Sequence, residues 1–144
     1  HDAADPIGIN VFAGKDKATV VTDTGVISDS ILRRMDDTTL LVLEANYDPH
    51  MLRFGPYQPF LKQRVASDEG HLSNEMAAQA LLMMNRPDFM QVILAHRSEN
   101  NNNAVLVTQT IGKMLVDGGV RIGPEMKLQH GQPNEIVSMK SVKR

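Results

Sequence analysis

The chain has 144 residues, a formal net charge of −2 and no cysteine. That length suits a single domain, residues 1–144, with a sizeable core. The charge excludes a generally basic nucleic-acid binder, though not a local basic patch; the absence of thiols excludes disulfides, thiolate metal sites and a cysteine nucleophile, and fits a cytoplasmic protein. No apolar run approaches the ~18 residues of a membrane span, and no signal peptide is visible. The chain opens at His1 rather than Met, which suits a processed product or a piece of something longer. Its nine methionines read as core filler.

Residues 7–13 and 18–23 read as a hairpin around the charged turn Gly14-Lys15-Asp16-Lys17, with Ile7, Ile9 and Val11 on one face. The second strand carries a β-branched run, residues 19–22, and closes in Thr22-Asp23-Thr24-Gly25. Gly25 allows a sharp turn there, because it takes positive φ without a Cβ clash. Asp23 is therefore placed at the carboxyl end of a rigid strand, where a metal ligand is often found and so is a turn aspartate bonding its own backbone. Ser28 is placed to cap a helix carrying Ile31, Leu32 and Met35, which ends at Asp36-Asp37. Residues 39–45, Thr-Leu-Leu-Val-Leu-Glu-Ala, predict a central strand buried on both faces. It too delivers an acid at its end, Glu44.

Residues 46–64 form a long connection holding Tyr47, Phe54, Tyr57 and Phe60, together with Arg53, Lys62 and Arg64 and no acid from Pro49 to Ala66. Interleaved cations and aromatics suit nucleic acid, since phosphates attract cations and unpaired bases stack on flat faces. The same composition also suits a small satellite core ringed by solvated cations. His71 then precedes a helix capped by Ser73, whose stripe is Met76, Ala77, Ala80, Leu81 and Met84. Helix dipoles near His71 favour a neutral imidazole.

Residues 89–95 predict another strand, and His96 follows it directly. It is the third strand to deliver a titratable group at its end, and α/β sheets build sites at strand carboxyl ends. Asn102 or Asn103 is placed to cap a helix with the stripe Ala104, Val107, Ile111, Met114 and Leu115, stopped by Gly118-Gly119. Residues 120–122, 126–130 and 136–139 read as short strands, followed by a basic tail, residues 140–144. Neither the dinucleotide fingerprint GxGxxG nor the phosphate-loop pattern GxxxxGK[ST] occurs.

An aspartate, a glutamate and two histidines on converging strand ends are oxygen and nitrogen donors or acid–base groups. Asp23 and His96 suit zinc or manganese, and an aspartate has two oxygens with which to bridge a metal pair. Glu44 and His71 suit a pair in which the carboxylate orients the imidazole for proton transfer. A hydrolytic zinc needs about three protein ligands, so the chain by itself is one or more short; His1, His50 and His130 have no metal-type spacing.

Four segments, Thr22-Asp23-Thr24-Gly25, Leu43-Glu44-Ala45-Asn46-Tyr47-Asp48, Gly70-His71-Leu72-Ser73-Asn74 and Ala95-His96-Arg97-Ser98, occur in the order and spacing of metallo-β-lactamase-fold hydrolases. The chain most resembles the WalJ/YycJ-type branch, related in its site to ribonuclease Z. The likeness covers roughly residues 1–119, and His1-Asp2-Ala3 looks like the segment entering the second half of that fold. It implies an α/β fold: the C-terminal half of an αββα sandwich, a mixed sheet flanked by helices. It implies two divalent metal ions, zinc or manganese, with Asp23 bridging them and His96 completing the second site. Glu44 and His71 become the proton-transfer pair, while Asn46, Tyr47 and Asn101 lie at the substrate. The implied reaction is phosphodiester hydrolysis of nucleic acid by attack of a metal-bound hydroxide.

The family's His-x-His-x-Asp-His cluster belongs to the first half of the fold and is not present in this chain. The chain is thus expected to need an N-terminal half as partner, to bind metal weakly and catalyse nothing alone, and to expose a sheet face open to association, including with a second copy of itself. The alternatives are a non-catalytic half-sandwich serving as a partner or dimerisation domain, and a lactonase- or esterase-type member of the same fold.

Overall fold

The structure, a computed structural model, describes residues 7–132 and 134–138. The expectations for residues 1–3, Met139 and the basic tail lie outside them. A hairpin opens the fold: β1 (Ile9–Ala13) and β2 (Asp16–Val21) pair antiparallel. Its turn is two residues shorter than expected. Gly14 takes a φ of 62° and lets the chain reverse over Gly14-Lys15 alone, so Asp16 and Lys17 join the strand.

Helix α1 (Asp29–Met35) begins as predicted, with Ser28 Oγ accepting from Ile31 N at 3.3 Å. The next strand is β3 (Leu40–Glu44), followed by two short helices, α2 (Pro49–Phe54) and α3 (Pro59–Val65). Each of the two begins at a proline, whose fixed φ and missing N–H suit a first helical turn. Helix α4 (Asn74–Met83) is capped by Ser73, which accepts from Met76 N at 3.1 Å. Strand β4 (Met90–Ala95), helix α5 (Ala104–Asp117) and strand β5 (Met126–His130) complete the order. Residues 120–122 and 136–138 are not strands: Ile122 makes only an isolated bridge to Met126, and Ile136 is 98% exposed.

The sheet runs β1-β2-β3-β4-β5, with β2 through β5 mutually parallel. Parallel pairing sends the carboxyl ends of β2, β3 and β4 to one edge. One face is closed by α1, α4 and α5. There Val21, Leu41, Leu43, Val92 and Leu94 pack against Met35, Leu81, Ile111 and Leu115 in a single core.

The opposite face corrects the reading of β3. Leu41 and Leu43 are fully buried, but Leu40 and Val42 are only half-buried, as are Val20 and Ile93 beside them in register. None of these four belongs to a hydrophobic core cluster. A second, smaller core lies beyond the carboxyl edge, made by Tyr47, Leu52 and Val65 with Tyr57 and Leu61 packed on it. No described helix is long and apolar enough to cross a membrane.

Candidate metal and acid–base site

Asp23, Glu44, His71 and His96 meet at the carboxyl edge of the sheet. Glu44 is the last residue of β3 and is completely buried. Its Oε1 accepts from His71 Nδ1 and from His96 Nδ1, each at 2.7 Å. Its Oε2 accepts from Thr24 N at 3.2 Å and, at the limit of hydrogen bonding, from Leu72 N at 3.5 Å. One carboxylate therefore ties together the loop after β2, the segment before α4 and the end of β4.

Burial pushes the Glu44 carboxyl upward, but the hydrogen bonds and charges of His71 and His96 outweigh it and hold the group below its ordinary range. An ionised carboxylate is an acceptor only. Both rings therefore present Nδ1–H to Glu44, which leaves Nε2 of each neutral ring with the lone pair. His96 Nε2 lies 3.5 Å from Asp23 Oδ1. The hydrogen bond to Glu44 raises the His96 imidazole above its ordinary value, against a smaller opposing effect of burial, with Asp23 adding a further favourable charge.

Asp23, His71 and His96 each offer one ligand atom, and these atoms lie within 4.8 Å of one another. A carboxylate oxygen and two imidazole nitrogens are a donor set suited to zinc or manganese. A buried carboxylate bonded to the far nitrogen of each ring is how metal-binding histidines are commonly oriented. The residues present fit a divalent cation, and the set includes His71, which the sequence pointed to only as an acid–base group.

Backbone conformation aims two of these side chains. Asp23 has φ of 60° and His96 φ of 53°, left-handed values that redirect each chain just past its strand. The turn after β2 therefore depends on Asp23 itself, not on positive φ at Gly25, which is absent from the left-handed residues. Gly25 serves packing instead: an added Cβ would overlap the Ser67 carbonyl oxygen and crowd the Asp68 backbone.

Asn46, Tyr47 and Asn101 are all buried, at 8%, 5% and 0% exposure. Asn46 Nδ2 donates to His96 O at 2.8 Å, Tyr47 bridges Ser73 and belongs to the smaller core, and Asn101 O accepts from Asp48 N at 2.9 Å. They hold the loops that carry the site. Asn102, read as a possible cap, is instead buried beneath it: its Nδ2 donates to Ala45 O at 3.0 Å and to Asn74 Oδ1 at 2.8 Å. Asn103 makes the cap, accepting from Leu106 N at 2.9 Å. Only the run of four asparagines after Glu99 hinted that this loop holds more than a cap.

A five-stranded mixed sheet, helices on one face, and acid and imidazole groups gathered at the carboxyl edge are consistent with a half-sandwich of the metallo-β-lactamase kind. The chain is homologous to bacterial proteins named as exodeoxyribonucleases. It is 32% identical over 133 residues to a Bacillus anthracis protein named exodeoxyribonuclease YycJ, covering 92% of this chain and 50% of the relative. It is 32% identical over 134 residues to Streptococcus pneumoniae proteins named exodeoxyribonuclease WalJ, covering 93% of this chain and 50% of each relative. The chain thus spans about half the length of the curated relatives it matches, consistent with a C-terminal half. No protein-family model matches it.

Proposed function

We propose that this chain supplies part of the site of a metal-dependent nuclease, with Asp23 and His96 as metal ligands and Glu44 and His71 as the proton-transfer pair. The observation that carries this reading is the doubly bonded Glu44 Oε1, which orients two imidazoles beside Asp23. Divalent zinc or manganese would supply Lewis-acid charge at a scissile phosphodiester and render water nucleophilic near neutral pH. Asp23 and His96 would hold that charge at the carboxyl edge. Glu44 keeps each Nδ1 protonated, so Nε2 of His71 is the atom that takes or gives a proton at the leaving oxygen. The names of the homologous proteins favour DNA as substrate. The remaining ligands and the cover for the open sheet face come, in this reading, from an N-terminal half of the same fold.

The open face with Val20, Leu40, Val42 and Ile93 supports a second reading, in which the chain serves as a non-catalytic partner or dimerisation domain. Activity separates the two. The whole protein, supplied with zinc or manganese, is expected to hydrolyse single-stranded DNA and bis(p-nitrophenyl) phosphate. Asp23→Ala is expected to abolish both activities, and His71→Ala to lower kcat by about 100-fold or more. Hydrolysis of a lactone but of neither phosphodiester would point to the lactonase-type alternative. Phosphodiesterase activity unchanged in Asp23→Ala would overturn the site.

A further inference from the structure

The segment between the two halves of the proton-transfer pair carries a feature that the site does not use. The chain leaves the sheet at Glu44, builds α2 and α3, and returns at His71, whose N–H donates to Val65 O at 2.9 Å. The loop that closes this excursion presses its Ser67 and Asp68 backbone against Gly25, two residues from Asp23. Both helices are therefore anchored beside the acid–imidazole cluster at either end.

The smaller core accounts for only part of the excursion. Tyr47 and Tyr57 are packed into it with Leu52, Leu61 and Val65. Phe54 and Phe60 are not, and stand 68% and 70% exposed. The Arg53 guanidinium lies over the Phe54 ring, 5.3 Å from its centroid, and the His50 ring is tilted against the same phenyl at 4.7 Å. Lys62 Nζ donates to Arg53 O at 2.8 Å, so a cation of α3 lies at the C-terminal end of α2. The sequence places no acid from Pro49 to Ala66.

We propose that α2 and α3 form a docking platform for single-stranded nucleic acid, with bases stacking on Phe54 and Phe60 and phosphates held by Arg53 and Lys62. The choice of ligand rests on the nuclease reading of the adjoining site; the physical case rests on complementarity. A flat apolar face paired with a cation matches a base and its phosphate, and every base offers a π-face, so sequence matters little. A duplex keeps its bases stacked inside and has none to offer a phenyl ring.

The test is binding of a labelled oligothymidylate of about a dozen nucleotides to the whole protein in EDTA, read by fluorescence anisotropy. Phe54→Ala and Phe60→Ala are each expected to weaken binding roughly tenfold, with bis(p-nitrophenyl) phosphate hydrolysis unchanged when metal is restored. Phe60→Leu keeps the apolar bulk and removes the flat ring; it is expected to weaken binding as Phe60→Ala does. Arg53→Ala is expected to reduce the salt dependence by about one counterion. Equal affinity for the oligonucleotide and its duplex, or phenylalanine variants that bind as tightly as the parent, would overturn the platform. So would phenylalanine variants that change the oligomeric state, since the rings would then belong to a protein interface. If the protein hydrolyses no phosphodiester yet its oligonucleotide binding depends on both rings, the platform stands and the nuclease reading falls.

Discussion

Glu44 Oε1 and His96 Nδ1 are joined by a hydrogen bond of 2.7 Å at a fully buried carboxylate, and the same oxygen takes a second bond of equal length from His71. The tautomer of both rings is thus set by one side chain. Glu44→Gln removes the charge and substitutes an amide that is both donor and acceptor, so it no longer compels both rings to present Nδ1–H. Zinc affinity of the whole protein, measured by competition with a chromophoric chelator, is expected to fall by about 10- to 100-fold. Asp23→Asn, which removes the charge of a proposed ligand rather than an orienting bond, is expected to lower it at least as far. Unchanged affinity in Glu44→Gln would show that the rings are oriented by something else.

His96 and His130 of the metal-free protein are expected to titrate on opposite sides of the ordinary imidazole value. His96 is raised, chiefly by its bond to Glu44, whereas burial and the Arg97 charge lower His130. NMR titration in EDTA should resolve these two midpoints, and Glu44→Gln should bring the His96 midpoint down while leaving that of His130 in place. The signs carry into stability. His96 binds its proton more tightly when folded, so its contribution is complete below the unfolded value and disappears as pH rises through the folded one. His130 acts oppositely: its contribution is complete above the unfolded value and is lost as pH falls through the folded one. Glu44, lowered in the fold, stabilises above the unfolded carboxylate value and ceases to do so as pH falls through its folded one. Acid unfolding of Glu44→Gln should lack that last component.

Much of this arrangement was legible from residue order. Ser28 and Ser73 sit where a helix must begin, and the structure finds both capping. The rule that strand ends deliver functional groups pointed to Asp23, Glu44 and His96, because an acid or imidazole closing an apolar run is visible in one dimension. What stayed hidden depends on neighbours far away in sequence. The one-sided burial of β3 could not be read, since Leu40 and Val42 look the same as Leu41 and Leu43 until helices choose a face. Nor could the reason for Gly25, which lies in a backbone some 40 residues later. The strand expected at residues 120–122 failed for a local reason: Gly118 and Gly119 end α5, Arg121 pairs with Glu125, and the chain turns directly into β5.

Two adjacent asparagines offer a measurement of what burial adds to a hydrogen bond. Asn103 is exposed and caps α5 with one bond to Leu106 N, so Asn103→Ala is expected to cost about 1 kcal/mol. Asn102 is 4% exposed and bonds to Ala45 O and, in both directions, to Asn74. Asn102→Ala strands those buried partners and is expected to cost about 2–4 kcal/mol. Urea unfolding of the two variants at one pH supplies the comparison; equal costs would mean that the buried network adds nothing beyond a cap.

Gly25→Ala tests whether the site depends on the contact between the turn after β2 and the loop after α3. The new methyl would be driven into the Ser67 carbonyl oxygen and the Asp68 backbone, neither of which can rotate away as a side chain could. One of the two loops must then move. The turn carries Asp23 and Thr24, whose N–H is bonded to Glu44; the other loop leads through Gly70 to His71. Either displacement separates a carboxylate from an imidazole. Overpacking of this kind is expected to lower stability by about 1–3 kcal/mol, and the geometric loss should appear separately as weakened zinc binding at a temperature where the variant remains folded. Gly14→Ala is the control, since its position is also strained for a side chain, at φ of 62°, but nothing lies within 4 Å of the added carbon. It is expected to reduce stability with zinc affinity intact. Loss of both properties in both variants would mean that the site follows global stability and not this contact.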